Sequence, residues 1–239
     1  MVFCAVLVCV AAAIASFAVI RHDRGASQQT SSTLIRPTGI PSNVSTRLAA
    51  AMGLSPVPDK MAPNFTLTDQ HGSTLSLSSF RGHPVVLTFF DPHCVTMCPI
   101  VAQEFVEAVH DLARTHLGVV FVAVNVNRHA LSVATVAAFT NEHQLDTVPT
   151  WHFFTGSLTT LHHIWSEYGV EVETRIVHGK WTVVHSSTVY FISPTGRERF
   201  LVSPGADYRM TATHRAYLPS ATLAAWGRGI SLVVKTVAH

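Results

Sequence analysis

The sequence predicts an α/β fold: a mixed sheet flanked by helices, extended by an N-terminal β-hairpin and preceded by a membrane anchor. Three observations predict it. Apolar runs of strand length at 84–90 and 119–124 alternate with stretches whose apolar residues recur at helical spacing, the pattern of βαβ units. A further apolar run at 183–192 leads through Ser193-Pro194-Thr195-Gly196 into a last strand at 198–202, and that closing hairpin makes the sheet mixed. Residues 2–20 carry no charge and end at Arg21-His22-Asp23-Arg24. At about 1.5 Å per residue, such a helix crosses most of a hydrocarbon core about 30 Å thick.

Composition bounds the rest. A chain of 239 residues holds one well-buried domain with appendages, and a hydrophobic fraction of 48% belongs to a folding sequence. The net charge of +2 comes from scattered Lys and Arg, so no nucleic-acid surface is expected. Fifteen histidines raise the expectation of a metal, although most must be surface or packing residues. The four cysteines fall in two settings. Cys4 and Cys9 lie in the apolar leader and Cys94 and Cys98 in the body, too sparse for a disulfide scaffold.

In chain order, residues 1–24 read as a signal anchor or a cleaved signal peptide, with Ala13-Ile14-Ala15 as a small-residue cleavage pattern. Arg21 and Arg24 by themselves favour the body of the protein inside. The reading carried forward is export: a single N-terminal span with the soluble domain outside the cell membrane, or secretion after cleavage. Neither Cys4 nor Cys9 follows a lipidation pattern. Residues 25–60 are rich in Ser, Thr, Pro and Gly and read as a tether, with a short helix near 45–54. The domain proper is expected at 61–239. Alternating residues at 65–68 and 74–77 around Asp69-Gln70-His71-Gly72 form a hairpin signature. Helices are expected from Ile100 to Leu117, at 132–143, at 157–168 and at 223–237, the last interrupted by Gly227 and Gly229, with a short extended piece at 149–154.

Between the strand ending at Phe90 and the helix beyond it lies Asp91-Pro92-His93-Cys94-Val95-Thr96-Met97-Cys98-Pro99. A dithiol between the first core strand and its helix is the thioredoxin-like arrangement. The partial positive charge and free N–H groups of a helix N-terminus favour thiolate. Thiol oxidoreductases of this fold separate their cysteines by two residues. Here three intervene, so Cys98 sits one helical turn past Cys94 on the same face. Such a pair can form a disulfide. It can equally offer two soft sulfurs to Cu(I) or Zn(II), with a histidine completing a three-coordinate copper site. Spacing leaves both open.

The run Ala62-Pro63-Asn64-Phe65-Thr66-Leu67-Thr68-Asp69-Gln70-His71-Gly72, then Leu77 to Arg81-Gly82, then Thr88-Phe89-Phe90 leading to His93-Cys94 and Cys98-Pro99, resembles the Sco/SenC family. So does His185-Ser186-Ser187-Thr188-Val189-Tyr190 before Pro194-Thr195-Gly196, and the resemblance extends over about residues 61–203. It implies a membrane-tethered, copper-binding thioredoxin-like protein that assists assembly of the binuclear copper centre of cytochrome c oxidase. Cys94, Cys98 and His185 are then the metal ligands, Cu(I) the cargo with Cu(II) as a second state, and the oxidase copper-site subunit the partner. Two departures stand out. The family often has an Asp-Pro pair and a second Asp after the second core strand, where this chain has Asn125-Val126-Asn127-Arg128-His129, and it commonly has Asp where this chain has Val184.

Other candidates have plainer readings. His93, next to Cys94, is expected to turn away and bond the loop, and Met97 to pack. His162 and His163, about 100° apart on a helix, make poor co-ligands. Val148-Pro149-Thr150 reads as a turn before Trp151. The principal rival function is an exported thiol–disulfide reductase acting on the copper-site cysteines of the oxidase, with Cys94 and Cys98 as its redox pair. A peroxidase would need Thr or Ser three residues before the attacking cysteine, where this chain has Asp91. A structural thioredoxin-like partner of a membrane complex is the remaining alternative.

Overall fold

The computed structural model describes residues 36–177, 179–204, 208–212 and 216–239. The anchor expected at 1–24 lies outside the described residues. Among the described residues, no helix is long and apolar enough to cross a membrane.

Six strands form the central sheet, ordered β1 (Ser55–Met61), β10 (Arg197–Val202), β9 (Val189–Ile192), β4 (Val85–Phe90), β5 (Val120–Asn125) and β6 (Trp151–Phe154). β4, β5 and β6 run parallel; β9, β10 and β1 are antiparallel to their neighbours. The sheet is mixed, as the sequence predicts. Side chains alternate across it. Val86 and Phe90 enter one core, beneath α2 (Met97–Leu112), α3 (Val133–Glu142) and α5 (Ser220–Val237). Val85, Leu87 and Phe89 enter a second core on the other face, with Leu67 of the hairpin β2 (Thr66–Thr68) and β3 (Thr74–Ser76) and with Leu161 and Trp165 of α4 (Leu158–Glu167). Because both faces of β4 and β5 are covered, every residue in these strands is buried.

The hairpin also closes the open edge of β6. The Gln70 side-chain amide accepts from Phe153 N–H at 2.7 Å and donates to the Trp151 carbonyl at 2.9 Å, so one side chain stands where another strand would pair.

Four expectations need correction. Residues 40–60 are not a free tether: Ile40, Val44, Ala49, Met52 and Leu54 are buried in the first core, α1 (Thr46–Ala51) packs on α5, and β1 pairs with β10. The helix after the dithiol starts three residues earlier than expected and ends at Leu112. Gly227 and Gly229 do not interrupt α5. A Cβ at Gly227 would stand 2.5 Å from Glu107 Cγ and 3.0 Å from Ala108 N, so the missing side chain is what lets α5 close on α2. The run at 183–192 is two strands. β8 (Lys180–His185) pairs with β7 (Val172–Val177) in a separate hairpin, and the chain leaves it after His185 before rejoining the sheet as β9. Thr88 Oγ1 donates to the Thr188 carbonyl at 3.1 Å, fixing the link between the two at the central strand.

Candidate metal centre

The site forms at the carboxyl ends of β4 and β5, where open α/β sheets present their loops. Asp91, buried just past β4, shapes the dithiol loop. Its Oδ1 accepts the His93 N–H at 2.8 Å and its carbonyl accepts the Cys94 N–H at 3.0 Å. Thr96, the N-cap of α2, makes no side-chain cap bond. The sulfur of Cys94 fills that place, accepting the Cys98 N–H at 3.4 Å, with Thr96 Oγ1 at 3.6 Å. Pro99 falls in the first turn, where its missing N–H costs nothing.

The two thiols are unlike. Cys94 is half-buried and Cys98 fully buried, and both are free. The hydrogen bond from the Cys98 thiol, helped by the backbone N–H groups of Cys98 and Thr96, outweighs burial and brings the Cys94 pKa down to about 6. Burial, then the bond given to Cys94 and its negative charge, pushes Cys98 well up. Of the two thiols, Cys94 is therefore the one that ionises first.

His185, last residue of β8, reaches the same place. Its Nε2 lies 3.7 Å from Cys98 Sγ, across 87 residues of sequence. Its Nδ1 is 2.9 Å from the Ser186 carbonyl. A carbonyl only accepts, so Nδ1 donates to it, and Nε2 is the ring nitrogen that faces the sulfur. The chemistry of the donors suits a soft metal. Bonds of about 2.3 Å to sulfur and 2.0 Å to nitrogen, at about 110–120°, put S and N roughly 3.5–3.7 Å apart. Among the described residues, no three His, Cys, Asp or Glu side chains form a ready-made cage. The structure brings Cys98 to both Cys94 and His185, with Cys94 turned to the helix N-terminus.

The other candidates separate from the site. Met97 packs against the first core. His93 is exposed and lines, with Cys94, Val95, Pro99 and Tyr217, a groove of about 420 Å³ beside the dithiol. His163 lies 3.6 Å from Glu167 and His162 packs on Trp165, so neither faces the sulfurs as a pair. Val184 alternates to the face of β8 opposite His185, across from Glu173, so the side chain at 184 points away from the site.

The chief omission of the sequence reading is the polar network beneath the loop. Asn125, wholly buried, donates to the Ala130 carbonyl at 2.7 Å and to Thr155 Oγ1 at 3.2 Å, and its Oδ1 accepts the Asn127 N–H at 2.8 Å. Asn127 Nδ2 donates to Asp91 Oδ1 at 2.8 Å, and its Oδ1 accepts the His129 N–H at 2.8 Å. The signal was present: Asp91, Asn125 and Asn127 each take the N–H two residues on, the Asx-turn habit of these side chains.

Fold and site together define a class, the thioredoxin-like dithiol domains, here with an imidazole brought to the buried sulfur. Within that class the assignment is direct: the SCO1/SenC family model matches residues 55–216, and the chain belongs to this family. It is 22% identical over 133 residues to the SCO1 protein homolog of Bacillus subtilis, covering 56% of this chain and 68% of that one. A local match to a chloroplastic peroxiredoxin Q of Triticum aestivum is 43% identical over 58 residues but covers only 18% of this chain and 27% of that one. The fold is similar to copper-bound ScoI of Arabidopsis thaliana, with TM-score 0.57 at 18% identity, covering 74% of this chain and 99% of the other.

Proposed function

We propose that this protein is a copper chaperone that carries copper on Cys94, Cys98 and His185 and delivers it to the copper-site subunit of cytochrome c oxidase. The observation that carries the reading is the contact of His185 Nε2 with Cys98 Sγ at 3.7 Å, with Nδ1 already committed to a carbonyl. Membership in the SCO1/SenC family and the copper-bound relative of the same fold support it. Two thiolates and a neutral imidazole select Cu(I) over harder ions, and Cu(II) is accepted when the nitrogen is present. Copper is cargo here: it arrives on and leaves these side chains by ligand exchange with thiols and imidazoles of donor and acceptor. Protons compete for all three ligands, so loading weakens as pH falls. The segment at 2–20 is proposed to hold the domain outside the cell membrane, near the oxidase. Reduced protein titrated with copper should bind about one ion per chain, and His185→Ala should weaken that binding. Unchanged affinity in the variant removes His185 from the site.

The asymmetry of the thiols favours a second reading, a thiol–disulfide reductase acting on cysteines of the same subunit. Cys94 thiolate attacks a client disulfide and releases one client thiolate. Cys98 then attacks Cys94, releasing the second, and its proton passes to the Nε2 lone pair. This reading predicts that reduced, metal-free protein opens one disulfide of a client peptide per chain and ends with Cys94 and Cys98 joined in a disulfide, which the chaperone reading does not require.

A further inference from the structure

Among the described residues, the hairpin of β7 and β8 pairs only with itself and stands outside the central sheet. A two-stranded hairpin is marginal alone in water, so its attachment decides where His185 sits. Its register places Val172 opposite His185, Thr174 opposite Val183 and Ile176 opposite Trp181. These six residues share one face of the hairpin. At the His185 end, Val172 and Val183 pack against the second core. At the other end Ile176 and Trp181 are exposed, at 64% and 60%. There the ring of Trp181 stacks on His129, with centroids 5.0 Å apart and planes 24° apart.

His129 belongs to the loop after β5, and its N–H is held by Asn127 Oδ1 at 2.8 Å. The same Asn127 side chain donates from Nδ2 to Asp91 Oδ1 at 2.8 Å. Asp91 in turn accepts the N–H groups of His93 and Cys94. One loop thus touches both halves of the site, the dithiol through Asp91 and the imidazole arm through Trp181.

We propose that the loop at 125–129 is the common mount of the metal centre. Asn127 is the positioning residue for the dithiol, and His129 with Trp181 is a latch that aims the His185-bearing hairpin. Trp181 and His185 lie four residues apart on the same side of β8, roughly 13 Å along the strand. Seating the aromatic ring at one end fixes the roll of the strand, and with it the direction of the imidazole at the other. Nothing in the contact needs a charge: a stacked aromatic plane suffices at either position. The latch stands on geometry independent of copper; its consequence for copper rests on the function proposed above.

The test uses the full-length protein, metal-free and then loaded. Hydrogen exchange of the amides of residues 181–185 is measured without metal in wild type, Trp181→Ala, His129→Ala, Trp181→Phe and His129→Phe. Both alanine variants should exchange these amides at least about tenfold faster while the amides of β4 and β5 stay protected, and both phenylalanine variants should match wild type. Competition against a Cu(I) chelator should then show affinity falling roughly 10–100-fold in the alanine variants, the usual cost of losing an outer support. Histidine nitrogen coupling in the Cu(II) spin-resonance spectrum should fall with it. Unchanged exchange in both alanine variants overturns the latch. Faster exchange with unchanged affinity and nitrogen coupling overturns its role in positioning His185. If wild type binds no copper, the copper-chaperone reading fails instead, and the metal-free exchange alone decides the latch.

Discussion

The two cysteines differ because of where one helix begins. Had α2 started at Ile100, both thiols would have lain in a loop with similar surroundings. Starting at Met97, it puts the Cys94 sulfur on the N–H of Cys98 and buries Cys98 in the first turn. The folded pKa of Cys94 is about 6, below its ordinary value of 9.0. The sign follows: a thiol with a depressed folded pKa contributes stability that is present above its unfolded pKa and is lost as pH falls through about 6. Alkylation of reduced, metal-free protein should therefore modify one thiol, with a rate half-maximal near pH 6, counted by mass spectrometry. Two thiols reacting together with a midpoint near 9 would contradict the asymmetry. Glu104 shows the opposite shift. Burial, with no hydrogen-bond partner among the described residues, raises its pKa from 4.5 to about 8. Between those values the unfolded chain is ionised and the native chain is not, so stability falls as pH rises, by up to about 1.4 kcal/mol per pH unit. In Glu104→Gln that fall should vanish, and urea melts at pH 5, 6.5 and 8 would measure it. Parallel curves for the two proteins would show that Glu104 is not buried as described.

Among the elements, α2 and α5 pack against each other, and their approach depends on Gly227. A methyl there would meet Glu107 Cβ at 2.8 Å as well as the Ala108 nitrogen, neither of which a rotamer change removes. Gly227→Ala gains about 1 kcal/mol of helix propensity and forfeits more through overpacking. A net loss of about 1–2 kcal/mol in a denaturant melt is expected, and a gain would mean the helices tolerate separation. Much of this level was readable in the sequence. Strands β4 and β5, the hairpin of β2 and β3, and helices α3 and α4 follow their apolar periodicity to within a residue or two. Local propensity marks the glycines of α5 as breaks, and tertiary contact overrides it. The run at 183–192 looks like one strand in sequence because periodicity does not show that the Thr188 carbonyl is taken by Thr88, 100 residues earlier. The partner of His185 was legible only through resemblance to a family, since no local pattern joins residues 87 apart.

At the scale of the whole molecule, two cores on opposite faces of one sheet hold the ends of β4 and β5 rigid, and the site is built on those ends. The dithiol loop and the hairpin of β7 and β8 are appended to that frame, one through Asp91 and the other through Thr88 and the second core. Part of the stretch that composition marks as a tether is frame too, because β1 covers the edge of β10 and α1 covers α5. The central claim is that folding gathers two sulfurs and one imidazole on a single copper ion. X-ray absorption at the copper edge, on reduced protein loaded with one equivalent, tests it most directly. The account predicts two sulfur neighbours at about 2.3 Å and one nitrogen at about 2.0 Å, the nitrogen disappearing in His185→Ala. A spectrum with sulfur alone, or one unaltered by the substitution, would contradict it.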